Sequence, residues 1–210
     1  MFSGAPSVGE MAGAGGRHAQ TDGRMGERST PLHMAPLHHL CQPRIIGLLM
    51  PTLHLLVGLP GAGKTTLARR LERAGALRLT PDEWMKPLFG VDDIDGKRGL
   101  LERELLWSVA HRALELGVDV VLDYGLWSPQ ERGLYRERAQ QLGAAVQLHV
   151  LDLPLDELWQ RLEERNAGGE HPFQVSREQL HEWEGWFQRP DAGELAEFAG
   201  VESAAGNAAD

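Results

Sequence analysis

Residues Gly58, Leu59, Pro60, Gly61, Ala62, Gly63, Lys64 and Thr65 fill every position of the pattern G-x-x-x-x-G-K-[ST]. The chemistry such a run can do is anion binding. Its glycines let the backbone approach phosphate oxygens closely, and its N–H groups converge on them at the start of a helix. Lys64 adds a mobile ammonium that can follow charge onto the β- and γ-phosphates. The Thr65 hydroxyl is suited to Mg²⁺, which keeps several of its waters when bound. Thr66 closes the segment and is the weaker candidate for the metal. The pattern therefore predicts ATP and Mg²⁺ as cofactors held by residues 58–66. It does not say what becomes of the nucleotide, because kinases, GTPases, motor ATPases and regulatory modules share it.

Two carboxylates stand where a phosphoryl acceptor or a metal would need them. Asp82 follows a short apolar run and the pair Thr80-Pro81, and Asp123 ends the run Val120-Val121-Leu122. An acceptor hydroxyl must be aligned on the γ-phosphorus and must lose its proton, which a carboxylate within hydrogen-bond reach can take. Asp82 can fill that role, or it can cap a helical turn that begins at Glu83. Asp123 can hold a magnesium-bound water or position substrate, with simple capping as its plainer alternative.

The elements that must carry these residues alternate in type. Residues 53–57 read as a buried strand leading into the glycine turn, and 64–74 as an amphipathic helix ended by Gly75. A strand over 76–79, a long helix over 97–117 and a strand over 118–122 follow. The stripe of the long helix is Leu101, Leu105, Val109, Ala113 and Leu116. Then come a helix over 129–142, a strand over 146–151 and a helix over 155–165, with 194–201 as a weak last edge strand. Strand and helix in alternation imply parallel strands with crossover helices, an α/β doubly wound sheet whose ligands collect at the carboxyl ends of the strands. Trp107 and Trp159 read as core. Trp84 and Trp127 read as neighbours of the acceptor crevice, and Trp183, Trp186 and Phe187 as an aromatic packing stripe.

Composition bounds the partners. The 210-residue chain has 21 Lys plus Arg against 30 Asp plus Glu, a formal charge of −9, so its overall field disfavours a general hold on nucleic acid. A lone cysteine, Cys41, rules out an internal disulfide and fits a cytoplasmic setting. The most apolar stretch, 45–60, is broken by Thr52, His54, glycines and prolines, so no membrane span is expected. Residues 1–49 are rich in Gly, Ala, Pro, Ser and His without periodicity and read as a disordered extension. Met50 is a candidate translation start, and His33, His38 and His39 read as exposed coil. The organisation expected is an extension over 1–49, a domain over 50–202 and a flexible tail over 203–210.

The order of these motifs carries a resemblance. The phosphate loop, then Leu79-Thr80-Pro81-Asp82-Glu83-Trp84, then Val120-Val121-Leu122-Asp123-Tyr124-Gly125, then the run over 151–166 resembles the small bacterial P-loop kinases of the AAA-type ATP-binding protein family. Those are similar to zeta-toxin kinases, chloramphenicol phosphotransferase and the kinase domain of polynucleotide kinase. The resemblance covers roughly 52–194. It implies a P-loop NTPase fold with a small helical lid near 166–176, hinged at the glycines of 166–170. It implies ATP and a hydroxyl-bearing small molecule as partners, Asp82 as the carboxylate engaging the acceptor, and Arg161 and Arg165 as a lid-side arginine pair. Arg161 and Arg165 stand four apart, so they share a helix face. Where polynucleotide kinases have an arginine three residues after the acceptor carboxylate, this chain has Met85, which weighs against a nucleic-acid 5′-hydroxyl as acceptor.

Overall fold

Five parallel strands form one sheet, and their order puts the phosphate loop at its centre. A computed structural model of the protein describes residues 50–90, 96–168 and 174–203. The strands are β1 (Thr52–Val57), β2 (Leu77–Leu79), β3 (Val120–Gly125), β4 (Ala145–Val150) and β5 (Gly200–Ser203), arranged β2-β3-β1-β4-β5. The chain leaves β1 for the β2 side, returns through β3 and then crosses to β4. β1 is therefore the strand at which the winding reverses, the position where open α/β sheets bind their ligands.

Covered faces explain why the strands read as unbroken apolar runs. Leu53, Leu55, Leu56 and Val57 of β1 are fully buried, as are Val120, Val121 and Leu122 of β3. β1 pairs with β3 as Leu53 to Val120 and Leu55 to Leu122, then slips so that Val57 faces Gly125. That irregularity lies at the carboxyl edge, beside the loop.

The helices are α1 (Lys64–Arg73), α2 (Pro81–Phe89), α3 (Lys97–Leu100), α4 (Trp107–Glu115), α5 (Pro129–Gln141), α6 (Leu155–Gly168), α7 (Arg177–Trp186) and the short α8 (Ala192–Leu195). Two starts are written into the sequence. Ser128 and Glu131 close a capping box on α5, and Ser176 and Gln179 do the same for α7. No helix among the described residues is long and apolar enough to cross a membrane.

Three expectations change. The long helix expected over 97–117 contains a π-helical segment, Leu101–Leu106, between α3 and α4. Its wider turn turns Leu106 inward in place of Leu105. The buried stripe becomes Leu101, Leu106, Ala110, Ala113 and Leu114, while Leu105 and Leu116 are exposed. The last strand lies at Gly200–Ser203 rather than over 194–201, and Glu194 belongs to α8. Ser203 is thus the end of a strand rather than the start of a tail. Trp186 is exposed, whereas Phe187 beside it is buried. The readings of 1–49, including Cys41 and the histidine cluster, of the tail 204–210 and of the middle of the lid, 169–173, lie outside the described residues.

Candidate active site

The phosphate loop is built by close approaches that exclude side chains. Gly58 has φ 149°, and a Cβ added there would lie 2.3 Å from the Leu151 carbonyl oxygen. Gly61 has φ 86°, with the Leu158 carbonyl oxygen 3.1 Å from the same hypothetical atom. The Gly58 amide donates to the Gly125 carbonyl at 3.1 Å, and the Leu151 amide donates to Val57 at 2.9 Å. The loop is thus pinned between β3 and β4. Gly63 caps α1, whose N-terminal dipole faces the same space.

Lys64 folds back over the loop and donates from Nζ to the Leu59 carbonyl at 2.8 Å. Burial pushes its ammonium down to about 8, against the pull of Asp123 and Asp82 and with added push from Arg165 and Arg98. Lys64, Asp82, Asp123 and Arg165 thus share one electrostatic neighbourhood.

Asp123 is buried near the end of β3, where the nearby Thr65 hydroxyl favours its charged form. Burial holds its carboxyl above the ordinary range despite Lys64, Thr65 and Arg78. Its Oδ2 has no hydrogen-bond partner among the described residues, and Arg78 Nη1 stands 3.7 Å away. A buried carboxylate oxygen without a donor, beside a threonine hydroxyl, fits a hard divalent cation or its water. No group of three or more His, Cys, Asp or Glu among the described residues could hold a metal. An ion here would therefore be shared with phosphate oxygens and water, as suits Mg²⁺.

Asp82 is not a cap. α2 starts at Pro81 behind Thr80, and Asp82 lies inside its first turn. Its Oδ1 accepts from Arg98 Nη1 at 2.7 Å, and Arg98 Nε donates to Glu102 at 3.0 Å. Burial disfavours the Arg98 cation, but Asp82 and Glu102 outweigh it and raise its affinity for the proton. Glu102 is the more enclosed of the two carboxylates, and burial pushes it up to about 7. Arg98 counters that push, and Glu131 and Asp82 add to it. The hydroxyl of Tyr124 is buried without a hydrogen-bond partner among the described residues, and burial raises its affinity for its proton.

The two expected lid arginines differ. Burial lowers the hold of Arg165 on its proton, Asp82 opposes that shift, and Arg165 in turn acts on Lys64. Arg161 spends its Nη2 on Glu157 of the same helix at 2.7 Å. Asn166 ties the end of α6 to the Val175 carbonyl at 2.9 Å. Trp127 braces the loop by donating from Nε1 to the Gly58 carbonyl at 3.2 Å. Trp84 is partly exposed on α2.

Sequence reasoning missed Arg78, Arg98 and Glu102. Arg98 and Glu102 stand four apart, a spacing that otherwise reads as an ordinary surface ion pair. The π-helical turn that encloses Glu102 leaves no mark in residue periodicity.

The sequence model of the AAA domain family matches residues 53–190. No curated protein matches the chain. A putative kinase from Chloroflexus aurantiacus superposes with TM-score 0.56 at 22% identity, covering 73% of this chain and 87% of that one. Kti12 from Chaetomium thermophilum, solved with ADP-AlF3, gives TM-score 0.56 at 16% identity over 73% and 88%. A chain of the Pnkp1/Rnl/Hen1 RNA repair complex gives TM-score 0.56 at 20% identity, covering 66% of this chain and 44% of that one. This chain therefore spans less than half the length of that protein. At such identities the likenesses concern the fold.

Proposed function

The chain belongs to the AAA domain family, and on that premise we propose that it is an ATP-dependent phosphotransferase moving the γ-phosphate to a hydroxyl of a small molecule. What supports this reading is the electrostatic neighbourhood that Lys64 of the phosphate loop shares with Asp123, Asp82 and Arg165. Phosphoryl transfer asks a protein chiefly for positioning and charge stabilisation, and each of these residues has a part in that.

The backbone of residues 58–65 receives the phosphates. Lys64 and Arg165 meet the charge that spreads over the γ-phosphoryl oxygens and onto the leaving ADP oxygen. Thr65 and Asp123 would hold Mg²⁺, which neutralises phosphate charge when bound. Asp82, its carboxylate held by Arg98, would face the acceptor. It orients the acceptor and takes the hydroxyl proton as the new O–P bond forms and the bond to the ADP oxygen breaks.

A small-molecule acceptor fits better than a polynucleotide end. Met85, at the position where polynucleotide kinases place an arginine, is fully buried and supplies no charge to the crevice. The chain's net charge of −9 works in the same direction.

The test is incubation of the pure protein with γ-labelled ATP and Mg²⁺ against pooled sugars, metabolites, antibiotics and oligonucleotides. Label is expected in a small hydroxyl compound. ATP binding with no transfer to any pool would favour a non-catalytic nucleotide-binding module instead, and label confined to oligonucleotides would assign a polynucleotide 5′-hydroxyl kinase.

A further inference from the structure

The turn after β3 holds a backbone conformation that the chemistry above does not use. Leu126 has φ 44°, alone among the described non-glycine residues in having positive φ. L residues avoid this region because Cβ crowds the neighbouring carbonyl. Such a residue persists only where its surroundings hold it, and such sites cluster at functional centres.

What holds it is an ion pair with a fully buried arginine. Arg132 of α5 is wholly enclosed and donates from Nη1 to the Leu126 carbonyl at 2.9 Å. Its Nε and Nη2 grip the carboxylate of Glu194 on α8 at 2.5 and 2.7 Å. A guanidinium bonded in this two-pronged way has little freedom to rotate.

What the turn holds is the phosphate loop. Leu126 is flanked by Gly125, whose carbonyl accepts from the Gly58 amide, and by Trp127, whose indole donates to the Gly58 carbonyl. The first glycine of the loop is thereby bonded to this turn through both its amide and its carbonyl. The Trp127 carbonyl accepts from the Gln188 amide at 2.9 Å, and its ring packs on Trp183 at 5.8 Å, so the indole is itself fixed. Moving Leu126 out of the left-handed region would swing Trp127 and release the Gly58 carbonyl.

We propose that the Arg132–Glu194 pair is a positioning device for nucleotide binding: it holds Leu126 in the left-handed region, which aims Trp127 at Gly58 and keeps the loop ready for phosphate. This rests on the reading of residues 58–65 as the nucleotide site. A loop already in its bound shape does not spend binding energy on being ordered, so the device acts on affinity for the nucleotide.

The experiment measures the affinity for mant-ATP with Mg²⁺ and the thermal midpoint in four variants. It also follows the Trp127 indole N–H resonance, assigned by its loss in Trp127→Phe. Trp127→Phe keeps an aromatic ring and removes the indole donor. The pair Arg132→Met with Glu194→Gln removes the clamp without leaving a buried charge unmatched. Each is expected to weaken mant-ATP roughly three- to tenfold, the effect of one hydrogen bond, and combining them should add little because they act in series. Adding Leu126→Gly to the clamp variant should restore most of the affinity, since glycine adopts the conformation unaided. A purely structural staple would lower the midpoint and show no such rescue. Unchanged affinity in Trp127→Phe, or failure of Leu126→Gly to rescue, overturns the proposal. If the clamp variant does not fold, Trp127→Phe decides alone. If the unaltered protein binds no mant-ATP, the nucleotide reading itself falls. An indole resonance left unmoved by the clamp variant would then overturn the relay separately.

Discussion

Arg98 bonds the Asp82 carboxylate at 2.7 Å with the same guanidinium that holds Glu102 at 3.0 Å. A carboxylate held by a guanidinium has a fixed orientation, which is what an acceptor hydroxyl needs from a proton-accepting partner. The Asp82 side chain keeps 42% of its surface exposed, so a substrate can reach it.

Asp82→Asn should therefore separate binding from transfer. The amide keeps the shape and the bond to Arg98 can persist through its oxygen, but the proton acceptor is gone. ATP affinity should stay within about twofold, while turnover falls on the order of 10²–10⁴-fold. Parallel titration and turnover measurements check this, and full activity in the variant would remove Asp82 from the mechanism.

Burial makes Glu102 a reporter of pH, against the opposing pull of that guanidinium. Its folded-state value of about 7 lies above the 4.5 of an ordinary glutamate, so the folded protein holds that proton more tightly than the unfolded chain does. The stabilisation is complete below about 4.5 and is lost as pH rises through about 7. Glu102→Gln, neutral throughout, should lack this loss, a difference on the order of 1–3 kcal/mol between pH 5 and pH 8. Urea unfolding at the two pH values reads it directly, and equal slopes for both proteins would refute it.

The two lid-side arginines should not behave alike. Arg165 shares the field of Asp82 and Lys64, whereas Arg161 is bonded to Glu157 on its own helix. Replacing Arg165 with alanine should cut turnover by about 10²-fold or more with little change in ATP affinity, because its charge matters most in the transition state. Arg161→Ala should cost turnover far less, and stability by about 0.3–0.5 kcal/mol, as for an exposed pair four residues apart. Steady-state kinetics on both variants ranks them, and the opposite order would assign the clamp to Arg161.

These residues also show what a sequence can and cannot reveal. The phosphate loop is legible because its chemistry is local: glycines, lysine and threonine must occupy neighbouring positions. The three inner strands are legible because their covered faces demand apolar residues, as in Leu53 to Val57. β5 is not, because Val201 and Glu202 are exposed on an edge strand and its pairing to β4 is set by tertiary contact. Arg98 and Glu102 read as a solvent-facing pair until the π-helical turn encloses the glutamate. The strain at Leu126 has no sequence mark, since nothing about a leucine announces a positive φ.

His54 and His149 carry the last prediction. They meet beneath the sheet with His54 Nδ1 3.0 Å from His149 Nε2, and His149 Nδ1 lies 3.0 Å from Glu202 on the edge strand. Burial lowers both imidazoles. Asp119 and Glu202 resist the shift at His54, and at His149 the neighbouring His54 and Arg70 deepen it while Glu202 resists. A folded histidine held below 6.5 takes up its proton later than the unfolded chain does, so the unfolded state gains protons first as pH falls. Stability should therefore decline as pH drops below about 6.5, opposite in sign to the effect of Glu102. In the unaltered protein the two slopes partly cancel between pH 5 and pH 6.5, and Glu102→Gln should unmask the histidine slope as a steeper acid loss. Adding His54→Gln, which can keep a hydrogen bond to His149 without titrating, should flatten it again. Urea midpoints across pH 5 to 7 in the two backgrounds test the pair, and an acid slope that survives His54→Gln undiminished would place its origin elsewhere.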